Sequence, residues 1–594
     1  MNIKNLLSGS YGIIKIFEKN EYKNFFILIF LMITGAALET ISIGLVLPIL
    51  SSITNPSTSP YLQNLLEVLN IEILFEDTLY LIIYAVIFFF FIYLLKNIFL
   101  SFLFWRQSKF IYSLMASIAE KLFKGYIYKP YMFHVENNSA ELIRNLTTEM
   151  NLFNGAVKAL TTLLTEILVL IGITSLLLIL QPKASFAVGI ILIISTVVFY
   201  LLTKNRIKKW GEDRQFHERY RIQHLQQSIG GNKEIKILEN EREFIRQFKR
   251  HNSEWGNIGH KQNFIEAIPR LWLEVVAIGL LTSLTIILIS NGIKLSELVP
   301  IIGMFGAAAF RLLPSVNRTI GALQRLIYTA PVVKVISQEL GDSNVDEKVL
   351  FDEKIKIEKS KKVLDLRNWK EIKISNINYK YPGSNEFVLN NLSLNFSRGQ
   401  SIGIVGKSGE GKSTFIDILL NLLPLNSGSI LIDNLDVEKN ILSWRSQIGY
   451  VPQEIFIIDD TLKRNIALGV KDENINDKKL EKAIELSQLK DFVTTLPKGV
   501  NTKVGERGAQ ISGGQSQRIG IARALYNNPS IILFDEATSS LDVKTENEVM
   551  KSIDSLKGDK SIILITHRIS TLKNADVIYK LEKGSLTETS YEKL

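Results

Sequence analysis

The sequence contains no cysteine in 594 residues. This absence excludes a disulfide-stapled scaffold, thiolate metal sites and a cysteine nucleophile. Hydrophobic residues make up 46% of the chain and charged residues 22%, so the composition also excludes intrinsic disorder, a collagen-like repeat and a coiled-coil rod. At about 150 residues per domain, the length indicates more than one folded domain.

The chain has 69 basic and 59 acidic residues, which gives a formal net charge of +10. Most of this basic excess lies in the first half, together with the long apolar runs, and not in a separate basic patch. We therefore expect no nucleic-acid partner.

Six apolar stretches in the first half are long enough to cross a bilayer, which takes about 20 residues in a helix. The weakest is the sixth, because Arg311 and Pro314 interrupt it. The predicted spans are residues 24–50, 79–105, 155–180, 184–203, 271–290 and 297–317.

The loops between these stretches differ in charge. Residues 51–78 contain four acids and no Lys or Arg, whereas residues 204–267 contain 14 Lys and Arg. Basic loops face the cytoplasm, so segments 106–152 and 204–267 and both termini are predicted to be cytoplasmic. The first 20 residues lack the pattern of a removable signal peptide. We expect a multi-pass protein of the inner (cytoplasmic) membrane.

A short helix is predicted outside the membrane, over residues 61–70. Its leucines, at positions 62, 65, 66 and 69, follow the spacing of one helix face. Two interpretations remain open: the helix packs on the outer ends of the spans, or it lies on the membrane surface and touches lipid. Packing on the spans is the commoner arrangement, so we favour the first interpretation.

A phosphate-binding loop opens the second half of the chain. The strand-like run 401–405 leads into a G-x-x-x-x-G-K-[ST] motif and then into an apolar helical run. Lys412 supplies charge to the β/γ oxygens of ATP, Ser413 is a Mg²⁺ ligand, and the helix N-terminus favours anions. The predicted nucleotide contacts are Gly406, Ser408, Gly409, Gly411, Lys412, Ser413 and Thr414.

A second acidic motif follows the buried run 531–534. Asp535 is predicted to hold Mg²⁺, and Glu536 is predicted to polarise the attacking water. Two carboxylates after an apolar strand are also compatible with a strand-end cap. Their combination with Lys412 favours the catalytic interpretation.

Ser512, Gly513, Gly514 and Gln515 open another helical run between these two motifs, 100 residues after Lys412 and 23 before Asp535. With this element the sequence resembles the ATP-binding cassette (ABC) family, whose signature motif it matches. The resemblance implies further contacts with the nucleotide and Mg²⁺. Gln453 matches the Q-loop glutamine, also a Mg²⁺ ligand, and His567 matches the switch histidine near the γ-phosphate.

Two further motifs follow from the same resemblance. Asp542 matches the D-loop, and Tyr381 matches the aromatic residue that stacks on adenine, with Tyr379 as a second candidate. Such stacking is worth about 1–3 kcal/mol per base. Residues 502–506 resemble the segment through which exporters contact the membrane domain.

The order of domains resembles an ABC exporter half-transporter over nearly the whole chain. This implies an α-helical six-span transmembrane domain (1–335), a linker (336–371) and an α/β P-loop ATP-binding cassette domain (372–594). It also implies a homodimer with two composite ATP sites, alternating access, and coupling through loops near 135–145 and 232–247.

Charges inside spans are costly, at about 2.5–3.5 kcal/mol for Arg or Lys at a helix centre. Lys96, Arg270 and Arg311 are the basic candidates for binding an anionic substrate such as a pyrophosphate. The alternatives are snorkelling to the interface or neutralisation by Glu39 and Glu274.

Segments 39–48, 268–274 and 311–318 look like those of bacterial lipid-linked oligosaccharide flippases. This resemblance implies a polyprenyl-pyrophosphate-linked glycan as substrate, with Lys96 at a position where arginine is expected; lysine lacks the bidentate fork. The alternative is an exporter of other lipids or amphipathic drugs. An ATP-gated channel or regulatory subunit is disfavoured by Glu536 and His567.

Overall fold

The computed structural model describes residues 12–54, 78–180, 182–290, 295–360, 366, 368–505, 511–537 and 543–594. They form two compact units. The first comprises residues up to 129 together with 134–352, and the second comprises residues 130–133 together with 353–594. The helix predicted at 61–70 lies outside the described residues.

The first unit is helical throughout, and several of its helices are long. Its helices are α1 (Lys19–Gly44), α2 (Val46–Thr54), α3 (Thr78–Tyr128), α4 (Tyr131–Glu136), α5 (Ser139–Arg144), α6 (Met150–Leu180), α7 (Pro182–Gly230), α8 (Asn232–Ile237), α9 (Glu241–Ser290) and α10 (Leu295–Ser360), with a π-helical turn at Asn145–Glu149 between α5 and α6. The start of α4, up to residue 133, and the end of α10, from residue 353, are assigned to the second unit.

Within the described part of the chain, five helical segments are long and apolar enough to cross a membrane: 19–50, 86–128, 139–180, 189–230 and 241–287. Each segment continues beyond the predicted span, because polar helical turns extend the apolar stretch. The sixth predicted span, 297–317, lies in α10 and is not among these five, so it stays a prediction. Helix α10 also covers residues 336–360 of the predicted linker.

The core of the first unit is built by side chains from α1, α3, α6 and α10. Met32, Leu103, Phe153 and Ile336 are buried in it. Some polar side chains buried between these helices are paired, as is usual for polar groups away from water. For example, the Gln107 amide donates a 2.7 Å hydrogen bond to Thr161 Oγ1.

The second unit contains two larger sheets and a two-stranded ribbon. Strand order is β2-β1-β4-β5 in the antiparallel sheet, β12-β11-β3-β10-β9-β6 in the six-stranded sheet and β7-β8 in the ribbon. The strands are β1 (Glu371–Tyr379), β2 (Leu389–Ser397), β3 (Ser401–Val405), β4 (Ser427–Ile432), β5 (Leu435–Asp436), β6 (Ile448–Val451), β7 (Asp460–Thr461), β8 (Lys503–Val504), β9 (Ile531–Asp535), β10 (Ser561–Thr566), β11 (Val577–Glu582) and β12 (Ser585–Thr589).

Five strands of the six-stranded sheet are parallel, and only β12 is antiparallel. Strands β3, β9 and β10 are almost entirely buried apolar runs, as expected for a parallel sheet covered on both faces. The helices of this unit are α11 (Lys412–Leu419), α12 (Ile441–Ser446), α13 (Leu462–Ile466), α14 (Asp477–Leu486), α15 (Lys490–Thr495), α16 (Gly513–Leu525) and α17 (Val543–Asp554).

The topology places the predicted catalytic residues together. Strands β3, β6, β9 and β10 are parallel neighbours, and each is followed by one of the sequence motifs described above. Because the carboxyl ends of parallel strands lie along one edge of the sheet, these four motifs meet there.

Candidate functional site

The phosphate-binding loop connects β3 to α11, as the motif predicts. Its backbone turns through left-handed conformations at Gly409 and Gly411, whose φ angles are 86° and 98°. At Gly411 a Cβ atom would lie 2.9 Å from Leu389 Cδ2 and 3.1 Å from the Val388 carbonyl oxygen. Glycine is therefore required there both for conformation and for space.

Lys412 is the first residue of α11, and its side chain is only 8% exposed. Its Nζ donates a 2.7 Å hydrogen bond to the Gly406 carbonyl oxygen and lies 3.3 Å from Glu536 Oε1. The ammonium group is thus held over the loop that precedes its own helix. This is the position from which it can contact phosphate oxygens.

Glu536 joins three of the predicted residues. Besides the contact with Lys412, Glu536 Oε2 accepts a 3.2 Å hydrogen bond from Gln453 Nε2 and lies 3.1 Å from His567 Nδ1. Its backbone has a φ of 45°, and its N–H donates to the Ile565 carbonyl oxygen at 2.8 Å. A non-glycine residue in this region is uncommon and is typical of a functional site.

Asp535 lies at the carboxyl end of β9, next to two residues that the sequence analysis missed. Tyr450 donates a 3.3 Å hydrogen bond from its OH to Asp535 Oδ2. Burial and the charge of Glu536 raise the pKa of Asp535, against the effects of Tyr450 and Lys412. Burial and the charge of Asp535 also raise the pKa of Asp417, to about 6.

The sequence gives only a weak signal for these two residues. Tyr450 lies near the end of β6, just before the Q-loop glutamine. Asp417 lies one helical turn after Ser413. Neither position has a distinctive sequence signal, because a tyrosine in a strand and an acid in a helix are both common.

The oxygen donors around Asp535 fit Mg²⁺. Its carboxylate, the Ser413 hydroxyl and the Gln453 amide are hard ligands of the kind that Mg²⁺ takes. Burial is the first cause of the raised pKa values of Asp535 and Asp417, and a neighbouring carboxylate adds to each, so a divalent cation would favour the ionised forms. The described residues contain no group of three or more His, Cys, Asp or Glu placed to hold a metal.

The structure distinguishes between the two candidates for adenine stacking. Tyr379 is 3% exposed and belongs to the core, whereas Tyr381 is half-buried. The two rings meet edge to face at 5.2 Å, and the Tyr381 OH lies 3.0 Å from Thr414 Oγ1. Only Tyr381 therefore has an accessible ring beside the phosphate-binding loop.

The signature motif forms the start of α16. Ser512 caps the helix: its N–H donates to Gln515 Oε1 at 2.9 Å, and its Oγ accepts from the Gln515 N–H at 3.3 Å. This reciprocal pair is a capping box. Ser512 makes no hydrogen bond to the residues around Glu536 in the part of the chain that the structure describes. Asp542 lies outside that part.

Gln517 is a further residue that the sequence analysis missed. It is buried in α16, and its side-chain Nε2 donates a 2.8 Å hydrogen bond to the Gln453 carbonyl oxygen. The signature helix is thus tied to the backbone of the Q-loop.

In the helical unit, Arg311 lies in a buried polar cluster. Its guanidinium bonds to Glu39 and lies 3.8 Å from Glu166. Glu166 also accepts from Ser315 and pairs with Arg318. Glu39 and Glu166 are 5% and 6% exposed, so both acids are buried with these partners. We call these five residues the α1–α6–α10 cluster.

Lys96 and Arg270 differ in their relation to this cluster. Lys96 is buried, with its Nζ 3.9 Å from the centre of the Tyr93 ring, and it interacts electrostatically with Glu39 and Arg311. Arg270 pairs with Glu274 on the same helix at 3.1 Å, with 73% of its side chain exposed. Among the described residues, the structure brings Lys96 and Arg311 together but not Arg270.

Comparison with known proteins gives matches to both units. Residues 41–306 match the ABC transporter transmembrane region, and residues 389–539 match the ABC transporter family model. A solved structure of a bacterial Atm1-family ABC exporter with ATP bound superposes with a TM-score of 0.69 at 20% identity, over 96% of each chain. The predicted order of a helical membrane domain and an α/β cassette domain is thereby confirmed.

Curated relatives extend this similarity. The chain is 30% identical over 492 residues to an ATP-dependent lipid A-core flippase of Wigglesworthia glossinidia brevipalpis, covering 82% of this chain and 81% of that one. The flippase of the same description from Pseudoalteromonas translucida is 29% identical over 80% of each chain. A leukotoxin export ATP-binding protein of Aggregatibacter actinomycetemcomitans is 42% identical over 219 residues, 31% of its length.

Proposed function

Because this chain belongs to the ABC transporter family, as an exporter half-transporter that couples ATP hydrolysis to transport, we propose that it is a glycolipid flippase. Its substrate would be a polyprenyl-pyrophosphate-linked oligosaccharide, moved from the cytoplasmic to the outer leaflet of the inner membrane by alternating access. The cassette domain would lie in the cytoplasm.

Each residue around Glu536 has a role in ATP hydrolysis under this proposal. The Glu536 carboxylate polarises the attacking water, and His567 lies beside it to contact the γ-phosphate. Lys412 exchanges its contact with Glu536 for the β/γ oxygens, which frees the carboxylate for the water. Asp535, Ser413 and Gln453 would hold Mg²⁺, which would supply positive charge to the phosphates.

The position of Ser512 supports a homodimer. One chain carries one phosphate-binding loop and one signature motif, and Ser512 makes no hydrogen bond to the Glu536 residues among the described part of its own chain. Two copies would supply two composite sites, each with Lys412 from one chain and Ser512 from its partner. The intact Glu536 in each copy makes both sites competent for hydrolysis.

The α1–α6–α10 cluster carries the proposal for the substrate. With Lys96 it contains three basic groups (Lys96, Arg311 and Arg318) and two acids (Glu39 and Glu166), and 3 − 2 leaves a net charge of +1. A net positive charge kept among membrane helices suits an anionic headgroup that enters from the cytoplasmic leaflet. The phosphates of a glycan lipid have this charge.

A second candidate comes from the relatives named as lipid A-core flippases. The alternative substrate is a phosphorylated glycolipid of that kind. It shares the anionic headgroup of the first candidate and differs in its acyl chains and sugars, so the same assay separates the two.

The test is translocation in proteoliposomes, with labelled polyprenyl-pyrophosphate oligosaccharide in one set and labelled lipid A-core in another. Glu536→Gln should reduce ATPase by about 10²-fold or more, the range of general-base contributions, and abolish transfer. Arg311→Lys keeps the charge but loses the planar guanidinium, which can bind phosphate through two N–H groups. It should lower transfer several-fold while ATPase activity persists.

Arg325→Gln is the matched control, because Arg325 lies on the same helix and pairs with Glu266 at 3.8 Å. It should leave transfer unchanged. Transfer of neither glycolipid, with ATPase stimulated by apolar compounds and unaffected by Arg311→Lys, would overturn the proposal in favour of a drug or general lipid exporter.

A further inference from the structure

A cavity of about 320 Å³ lies between α1 and α3 in the helical unit. None of its lining residues belongs to the α1–α6–α10 cluster. Its wall combines two cations, Arg106 and Lys109, with apolar side chains that include Leu28 and Leu31. Its volume is within the range of small-molecule sites.

The cavity lies at the depth of the cytoplasmic membrane boundary. The first predicted span begins at residue 24 and the second ends at residue 105. Helices α1 and α3 run antiparallel here, because Phe25 meets Phe110 at 5.9 Å between ring centres while Glu18 pairs with Lys121 at 2.8 Å. The cavity thus extends from the cytoplasm at one end towards the bilayer at Leu31.

An aromatic residue marks the same level. Lys109 Nζ lies 5.4 Å from the centre of the Trp105 ring, and more than half of this tryptophan is exposed. Exposed tryptophan is enriched at the headgroup region of membranes. This agrees with the level given by the span boundaries.

The charge of the cavity is positive. Arg106 and Lys109 contribute +2, and Glu21 contributes −1, which leaves +1. Glu21 Oε2 already accepts a 2.7 Å hydrogen bond from the Glu18 N–H. Neither cation forms an ion pair with an acidic side chain among the described residues of the chain. Within the described part of the chain, these two cations at a predicted membrane boundary are therefore not in an ion pair with an acid.

We propose that this cavity binds the headgroup of an anionic phospholipid from the cytoplasmic leaflet. The phosphodiester lies between the Arg106 guanidinium and the Lys109 ammonium, and the acyl chains leave along Leu28 and Leu31. A soluble phosphate could use the same cations, but it has no group to cover the apolar end. The site is separate from the transported substrate and does not depend on its identity.

The experiment measures binding of phosphatidylglycerol to the purified full-length protein by native mass spectrometry, after delipidation and titration in detergent. The variant Arg106→Gln/Lys109→Gln should weaken the tightest binding step at least tenfold. The matched control, Lys204→Gln/Arg206→Gln, removes two charges at the cytoplasmic end of another predicted span and should have no effect. Phosphatidylcholine should bind all forms equally weakly.

Ser113→Trp is a second variant that keeps every charge. Ser113 is an exposed residue of the cavity wall, so its replacement is compatible with folding, and the indole should fill the cavity and displace the lipid. Two results would overturn the proposal. One is an equal loss of phosphatidylglycerol binding in the Lys204→Gln/Arg206→Gln control. The other is wild-type binding of phosphatidylglycerol in both Arg106→Gln/Lys109→Gln and Ser113→Trp. If millimolar glycerol phosphate competes for the site as effectively as the lipid does, the cavity is a soluble-anion site instead.

Discussion

Glu536 is the residue on which the ATP site converges. A single carboxylate faces an ammonium group, an imidazole and an amide, which come from three separate segments of the chain. Its strained backbone is held by the N–H bond to β10. Under the proposed mechanism this carboxylate is released from Lys412 before hydrolysis, which would link nucleotide binding to activation of the base.

Tyr450→Phe is predicted to raise the Mg²⁺ concentration that ATPase activity requires. The substitution keeps the ring and removes the OH that donates to Asp535. Residues that orient a metal ligand typically contribute 10–100-fold to metal affinity, so we expect the Mg²⁺ concentration for half-maximal ATPase to rise about tenfold. Tyr579→Phe, on β11 of the same sheet, is the control and should leave this concentration unchanged. An unaltered Mg²⁺ titration in Tyr450→Phe would assign the tyrosine a packing role only.

Asp417 gives the cassette domain a pH dependence. Its pKa of about 6 lies above the ordinary value of 3.8, so the folded protein keeps a proton that the unfolded chain loses between about pH 4 and 6. Stability therefore falls as pH rises through about 6. Asp417→Asn removes this loss of stability. The variant should therefore be more stable than the wild type at pH 7.5, and by a smaller margin at pH 5.

The measurement is thermal unfolding of the nucleotide-free protein in EDTA. The expected advantage at pH 7.5 is a few degrees, because Asp417 is partly open to solvent and about 1 kcal/mol shifts the midpoint by about 2–4 °C. Asp459→Asn, at an exposed carboxyl, should show no pH-dependent difference. A constant difference for Asp417→Asn at all pH values would contradict the titration.

At the scale of secondary-structure elements, the loop between β3 and α11 depends on two glycines that differ in surroundings. Both have positive φ, but a Cβ at Gly409 would meet nothing within 4 Å, while one at Gly411 would meet β2 and the residue before it. Left-handed backbone costs an L-residue about 1–2 kcal/mol.

Gly409→Ala is therefore predicted to lower the unfolding midpoint by this conformational cost alone. Gly411→Ala should lower it further, because the methyl group also displaces Leu389 and the Val388 carbonyl. Thermal unfolding of the nucleotide-free protein measures both. Equal midpoints for the two variants would show that β2 adjusts freely to the added atom.

At the scale of the whole helical unit, the α1–α6–α10 cluster connects three helices through ion pairs in which the two acids, Glu39 and Glu166, are buried. Removing one partner of a buried ion pair is strongly destabilising, by about 3–5 kcal/mol, because the remaining charge is left uncompensated. Glu166 is the acid with the most partners, since Arg311, Arg318 and Ser315 all contact it.

Glu166→Gln is predicted to lower the thermal stability of the detergent-solubilised protein by several degrees. The double variant Glu166→Gln/Arg318→Gln should recover part of the loss, since it removes one uncompensated cation. Glu243→Gln makes the same substitution in an exposed pair with Arg246, outside the predicted spans, and should change little. A double variant less stable than Glu166→Gln alone would show that Arg318 does not depend on Glu166.

The sequence by itself predicted the candidate ATP site, because each of its motifs is local. A strand, a loop and a helix start are specified by neighbouring residues, so Lys412, Asp535 and Glu536 were predicted from their motifs and the elements on either side. The pairing of Arg270 with Glu274 was likewise accessible, because residues four apart share a helix face. The helical character of the first unit followed from the length of its apolar runs.

Tertiary structure decided which distant residues meet. Glu166 lies 145 residues before Arg311, and hydrophobic periodicity gives the faces of two helices but not their relative register. The same reason hid Tyr450, Asp417 and Gln517, whose roles depend on strand order and helix packing. The cavity at Arg106 and Lys109 exists only because α1 and α3 lie side by side, a relation that neither segment specifies alone.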